Sequence, residues 1–487
     1  MNFNAKERSA RARNGGAVNF KDGWYVLNLR GTSEQIGDDH GRMLAEEIKA
    51  YIEETKQYVW VCMGIDYDYA RKDVERLSRQ TLSEEIRVEM TAIADGVNAV
   101  LGTCYDVWDI TVLNWMEGWS GYAFDGGTAY KAHAKPAHDT ISMPVRERRD
   151  HCSAFVATGR YTADGKPVMF HNSFNVFETS GYANVIATIT PADGSGHKFT
   201  MQTQIGYVHS MADFYIVQAG NGVNDRVAIT ETTIGGFNRY NKDTNTSIPE
   251  FDRIRRAVQH FTSINGENDA TSFVSIMRAG ESGDYANTWL LADYRDNSIW
   301  EFEEGLVFYE VTHKLADDEK PYFIGANYPK YPPIKNLECS NDGGDDVRRH
   351  QGARRVRLPQ LVEKYGAEGG INLETGRRII ADHYDVYNDC ETEGNSRTVC
   401  SHYNFDKREY MSDPSRPKPY QPRGAIDGMG IDAELAKTLQ LNARWGSSCG
   451  TAFYAGEFLA KHPQFDHLKL FLHDRPSYPW TVLPENK

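Results

Sequence analysis

Cys152 follows directly on the charged, irregular run "RERRDH" that ends at His151, and it opens the strand-like run "CSAFVATGRY". A cysteine at the head of a strand, behind a dispensable linker, is where a self-processing enzyme would keep its nucleophile. If the bond between His151 and Cys152 is cut, Cys152 carries a thiol and an α-amino group together. The amine has an ordinary pKa of about 7.7–8.0 and the thiol one of about 8.5, so a proton passes between them at small cost near neutrality. Nucleophile and general base then reside on one residue, the N-terminal-nucleophile solution. In the uncut chain the same thiol can attack the His151 carbonyl, and water resolves the thioester that forms. The residue types alone equally admit a small buried thiol, because free cysteine is among the most buried side chains.

The surrounding elements change character at this point. Upstream, "VNFKDGWYVLNLRG" at 18–31 reads as a hairpin about an Asp-Gly turn. Thr32 and Gln35 are spaced as a capping box. Ile36, His40, Leu44, Ile48 and Ile52 then recur every four residues, the pattern of one long helix. Further amphipathic helices are expected around 68–80 and 82–100. No period survives over 118–151, which reads as an exposed linker.

Downstream, "CSAFVATGRY" and "KPVMFHNSF" flank "TADG", read as an Asp-Gly hairpin turn. Strands are expected at 182–190, 197–207, 213–218, 226–232, 286–292 and 298–311, and helices at 252–263, 268–278, 354–364 and 373–382. The acidic stretch at 338–351 reads as a solvated loop rather than a metal site. The pattern predicts an α+β protein with a helical N-terminal segment, residues 1–151, and a strand-rich core, residues 152–487.

Composition narrows the function classes. Apolar residues make up 40% and charged residues 25%, enough for a sizeable core, and the formal charge of −14 argues against nucleic acid as a partner. The longest apolar run, "VWVCMGI" at 59–65, is far too short for a membrane span. The N-terminus lacks the apolar region of a secretory signal, so a cytoplasmic protein is expected, or a secreted or lysosomal one if a leader has been removed. The seven cysteines are widely spaced, with no CxxC pair and no cysteine–histidine zinc spacing. Neither a metal nor a cofactor is expected.

Three stretches carry a family resemblance. "RGTSEQIGDDHGRML" resembles the G-T-x-x-x-I-G-x-x-H-G opening of the isopenicillin-N acyltransferase family, and "EEIRVEMTAIADGVNA" with "WDITVLNWME" is similar to that family's next helix and leucine–asparagine segment. "DHCSAFVATG" followed by "GKPVMFHNSFN" resembles the nucleophile hairpin of the phospholipase B-like proteins, with Phe170 standing where that group has glycine. "DFYIVQAG", "ITETTIGG", "NTWLLADYRDNSIWEFEEG" and "GNSRTVCSHYNF" continue the likeness from about residue 25 to the C-terminus.

The resemblance implies an N-terminal-nucleophile (Ntn) hydrolase, an αββα sandwich of two stacked antiparallel sheets between helix layers, activated by cleavage before Cys152. It implies hydrolysis of a linear amide of a small N-acylated molecule, or transfer of the acyl group to an amine. A non-catalytic binding relative that keeps the fold is the third reading. Carried over, Cys152 is the nucleophile, and His171 and Asn172 are the His-Asn pair facing it across the hairpin, where paired residues lie within about 5.5 Å. Ser173 and Arg397 are candidate substrate contacts, Arg397 against the alternative of a structural salt bridge. Asn287 is the oxyanion-hole candidate, since a neutral amide N–H stabilises developing charge without competing for protons. Glu231, Thr232 and Thr233 resemble an "ETT" element read as strand core. Cys390 and Cys400 would pair only in an exported protein. The released N-terminal piece is expected to stay bound through its amphipathic helices, and a homo-oligomer is left open.

Overall fold

The computed structural model describes residues 4–125, 152–235, 247–266, 269–339, 343–408 and 419–485. The chain forms two compact units that interleave along the sequence. One comprises Met1–Arg146, Tyr182–Met211 and Arg239–Tyr285, the other Glu147–Gly181, Ala212–Asn238 and Ala286–Lys487. A single boundary at 151/152 therefore does not describe the units. The cause is a parallel pairing of an N-terminal strand with Val185–Pro191, which draws that later segment into the first unit.

The first unit opens with α1 (Ala5–Ser9) and the hairpin of β1 (Ala17–Lys21) and β2 (Trp24–Gly31). Asp22 and Gly23 turn it with φ of 46° and 85°, the left-handed pair that a two-residue hairpin requires. Helices α2 (Ser33–Met43), α3 (Ala45–Met63), α4 (Tyr67–Ser78), α5 (Glu84–Leu101) and α6 (Val107–Asp125) follow. The Thr32–Gln35 capping box starts α2 as its spacing predicts. The single long helix does not form, because Leu44 leaves the helical region at φ −113°, ψ 28° and separates α2 from α3. Its side chain stays fully buried, so the apolar period continues across the break. Gly37 and Gly41 press against backbone carbonyls of Glu89 and Ile93, so α2 and α5 meet nearly backbone to backbone. Helix α6 runs into the expected linker as far as Asp125, and the rest of that linker, with His151, lies outside the described residues.

The second unit is built on β3 (Cys152–Gly159) and β4 (Gly165–Val176). These lie in a sheet of order β12-β3-β4-β16-β17-β18, with β12 Tyr322–Gly325, β16 Asp427–Ile431, β17 Leu441–Trp445 and β18 Thr481–Leu483. The β3–β4 connection runs through residues 160–164, longer than a two-residue Asp-Gly turn, because Thr162 bridges to Ile371. β7 (Tyr215–Gln218), β8 (Arg226–Thr233), β9 (Asn287–Asp293), β10 (Ser298–Glu304) and β11 (Tyr309–Lys314) form an antiparallel succession, and β3 and β4 pack on β8, β9 and β10. The outer face of β3 and β4 carries Phe155, Ala157, Val168 and Phe170 against Leu358, Leu361 and Val362 of helix His350–Ala367 and Ile379 and Ile380 of helix Leu373–Ile380. The fold is α+β with several antiparallel sheets, as the sequence pattern predicts. Among the described residues no helix is long and apolar enough to cross a membrane.

Candidate active site

Side chains alternate between the two faces of a strand, and this sorts the residues around Cys152. Phe155 and Ala157 face the helices, which turns Cys152 and Ala154 toward β8 and β9. On β4, Ser173 lies directly opposite Cys152, Asn172 opposite Ser153 and His171 opposite Ala154. His171 and Cys152 thus share a face as diagonal neighbours, and the Cys152, His171 and Glu231 ligand-type atoms lie within 4.8 Å of one another.

Asn172 does not face the cysteine. It projects to the other side, where Oδ1 accepts the Ser153 N–H at 3.2 Å and Nδ2 donates to Ile380 O, Val399 O and Ser448 Oγ at 3.0, 3.2 and 3.1 Å. The period of two separates it from its neighbour His171. Phe170 also faces the helices and stacks on Phe155 at 5.8 Å, so it takes no space on the Cys152 face.

Cys152 is held at both ends of its peptide unit. Its N–H donates to Asn327 Oδ1 at 3.2 Å, and its carbonyl accepts from Arg354. Arg354 also donates to the same Asn327 oxygen at 2.9 Å, and Asn327 Nδ2 donates to Thr233 O at 2.8 Å. Arg354 is fully buried, and its guanidinium lies 4.7 Å from the Phe174 ring centre. Asn327 adopts a left-handed φ of 62°, a conformation that asparagine reaches more readily than most residues. Neither residue stands out by sequence pattern, because Arg354 lies among other arginines in "GARRVRL" and Asn327 in a turn.

The thiol itself donates to Glu231 Oε1 at 3.8 Å. Thr233 Oγ1 donates to the same oxygen at 3.3 Å, and Asn287, its amide oriented to satisfy both ends, donates to Glu231 Oε2 at 2.7 Å and to Ala286 O at 3.0 Å. Glu231, read from sequence as strand core, is thereby the carboxylate at the cysteine, and Asn287 reaches the site through it. Burial, reinforced by the Glu231 carboxylate, pushes the Cys152 thiol well above its ordinary range, so the uncut chain holds it as S–H. Burial pushes His171 down to about 3, against a smaller opposing effect of the Glu231 backbone, and this keeps its ring neutral. Asp427 Oδ1 accepts the Ser173 N–H at 2.7 Å, and burial, opposed by hydrogen bonding from Ser173, raises this carboxyl to about 7.

Arg397 belongs to a buried ion pair. Its Nε donates to Asp385 Oδ1 at 2.9 Å and its Nη2 to the other carboxylate oxygen, with Tyr387 5.1 Å from the guanidinium. Cys390 is exposed and Cys400 buried, and both are free thiols. Cys400 has Cys449 as its neighbour, in a second group of ligand-type side chains with His383 and His402. Cys400 and His402 lie two residues apart, while His383 and Cys449 come from two other stretches of chain, and for that reason no zinc spacing is visible in the sequence.

No family model matches the chain. An uncharacterized protein of Archaeoglobus fulgidus is 26% identical over 197 residues, a stretch covering 38% of this chain and 30% of that protein.

Proposed function

We propose that the protein is a cysteine Ntn amidohydrolase with the αββα architecture, cut between His151 and Cys152 and acting on a linear amide of a small N-acylated molecule. One observation carries this reading. The peptide nitrogen of Cys152 already has an acceptor in place, Asn327 Oδ1 at 3.2 Å, on the face where the thiol meets Glu231 and His171.

In processing, Cys152 Sγ attacks the His151 carbonyl carbon, an S–C bond replaces the C–N bond, and the proton passes to the released amine. Water then cleaves the thioester, leaving a carboxylate at His151 and the thiol at Cys152. In turnover the α-amine, oriented by Asn327, takes the thiol proton as sulfur attacks the substrate carbonyl. The same proton goes to the departing amine, and water or a second amine receives the acyl group. Glu231 disfavours a lone thiolate, so proton transfer must accompany attack. The acyltransferase differs only in the acceptor admitted, and the binding relative predicts an unreactive thiol.

The test is mass spectrometry of the protein after incubation with a panel of N-acyl p-nitroanilides. Release of p-nitroaniline with a hydroxylamine-labile acyl mass on the Cys152 peptide is expected. Release that persists in Cys152→Ala would overturn the assignment.

A further inference from the structure

From the way the chain brings His383, Cys400, His402 and Cys449 together, we propose a structural zinc site that braces the hairpin carrying Cys152. The proposal is independent of the catalytic reading. One ligand atom from each of the four residues lies within 4.8 Å of all the others. His402 Nε2 stands 3.3 Å from both Cys400 Sγ and Cys449 Sγ. A tetrahedral zinc ion, with Zn–S of about 2.3 Å and Zn–N of about 2.0–2.1 Å, sets its ligand atoms roughly 3.3–3.8 Å apart. The four atoms therefore need only small movements to close on an ion.

The chemistry of the set favours zinc. Two thiolates and two neutral imidazoles around a dication sum to no net charge, which suits a place where Cys400 and His402 are buried. Tetrahedral S2N2 coordination is characteristic of zinc. His383 Nε2 is buried and makes no hydrogen bond to nitrogen or oxygen among the described residues. The sulfurs have polar neighbours: Thr451 N–H donates to Cys449 Sγ at 3.4 Å, Ser448 Oγ lies 3.2 Å from Cys400 Sγ, and Ser447 Oγ, 3.3 Å from Cys449 Sγ, donates to Thr451 O at 2.7 Å. Such outer contacts fix ligand orientation in metal sites. Gly394 lets the chain pass against the His402 ring, where any side chain would collide, and Phe405 stacks on the same ring at 5.1 Å.

The ion would tie three segments together: the residues after helix Leu373–Ile380, the loop around Cys400–His402, and the turn after β17. Those segments supply the contacts under the nucleophile hairpin. Ser153 Oγ donates to Val399 O at 3.0 Å, and Asn172 Nδ2 reaches Ile380 O, Val399 O and Ser448 Oγ. The metal thus lies behind the sheet and holds the strands that aim Cys152, with no part in the chemistry on the other face.

The experiment is metal analysis by plasma mass spectrometry on protein purified without chelator, followed by replacement with Co²⁺. About one zinc per chain is expected, with the cobalt form showing intense thiolate-to-metal charge-transfer absorption. Cys449→Ser and His402→Ala should lose the metal, while Cys390→Ser and Cys152→Ala keep it. Should the ligand variants fail to fold, the wild-type protein still decides the matter: zinc must protect Cys400 and Cys449, but not Cys390, from alkylation. Protein that takes up no zinc, or a Cys400–Cys449 disulfide in peptide maps of the native chain, would overturn the site. Loss of metal in Cys152→Ala would also overturn it, placing the ion at Cys152, His171 and Glu231.

Discussion

Glu231→Gln isolates the electrostatic control of the nucleophile. Glu231 Oε1 lies 3.8 Å from Cys152 Sγ, and both residues are buried. Two unit charges at that distance interact by about 4 kcal/mol at an effective dielectric constant of about 20. The carboxylate therefore opposes thiolate formation by about a thousandfold, at 1.36 kcal/mol for each tenfold step. Glutamine keeps the volume and can still accept from Asn287, so the charge is the main thing removed. The assay is thiolate ultraviolet absorbance against pH, taken as the difference between each protein and its Cys152→Ala counterpart. The midpoint in the glutamine variant should fall by about 2–3 pH units. A midpoint within tenfold of wild type, or one that rises, would refute the electrostatic role of Glu231.

Three further outcomes follow. Asp427 titrates at about 7 in the folded protein, against an ordinary 3.8, so the folded chain keeps a proton that the unfolded chain has lost between those values. Its contribution of about 4 kcal/mol is present below pH 4 and lost as pH rises through 7, and urea titrations at the two ends should show this gap shrink in Asp427→Asn. Phe170 is fully buried, and side chains on Gly376 or Gly430 would overlap its ring, so Phe170→Ala should cost about 3–5 kcal/mol in denaturant melts. Activity of the processed enzyme should rise between about pH 6 and 8 as the α-amine deprotonates, and a flat profile there would exclude the amine as base. His171, held neutral by burial, should add no inflection near the ordinary imidazole value.

Local rules made much of the fold legible. The Asp22-Gly23 hairpin, the Thr32 capping box and the strands flanking Cys152 all follow from short-range pattern. The break at Leu44 does not, because an apolar residue stays buried across it and the period is uninterrupted. At the site, Cys152 and His171 are legible as neighbours through hairpin pairing, but the same pairing places Asn172 on the opposite face. Glu231, Asn327 and Arg354 arrive from 79, 175 and 202 residues away, and no local period points to them. Glu231 left a trace as the acidic residue of the strand run "RVAITETT". The His383, Cys400, His402 and Cys449 group was hidden for the same reason, since packing rather than spacing brings His383 and Cys449 to the Cys400–His402 loop.

The central claim rests on the bond between His151 and Cys152, and intact-mass spectrometry of freshly purified protein beside its Cys152→Ala variant tests it most directly. Two fragments separating at that bond in the wild type, with one full-length species in the variant, are the predicted result. A single uncut chain in both, with Cys152 unreactive toward acyl donors, would contradict the account and leave a protein that keeps the fold for binding.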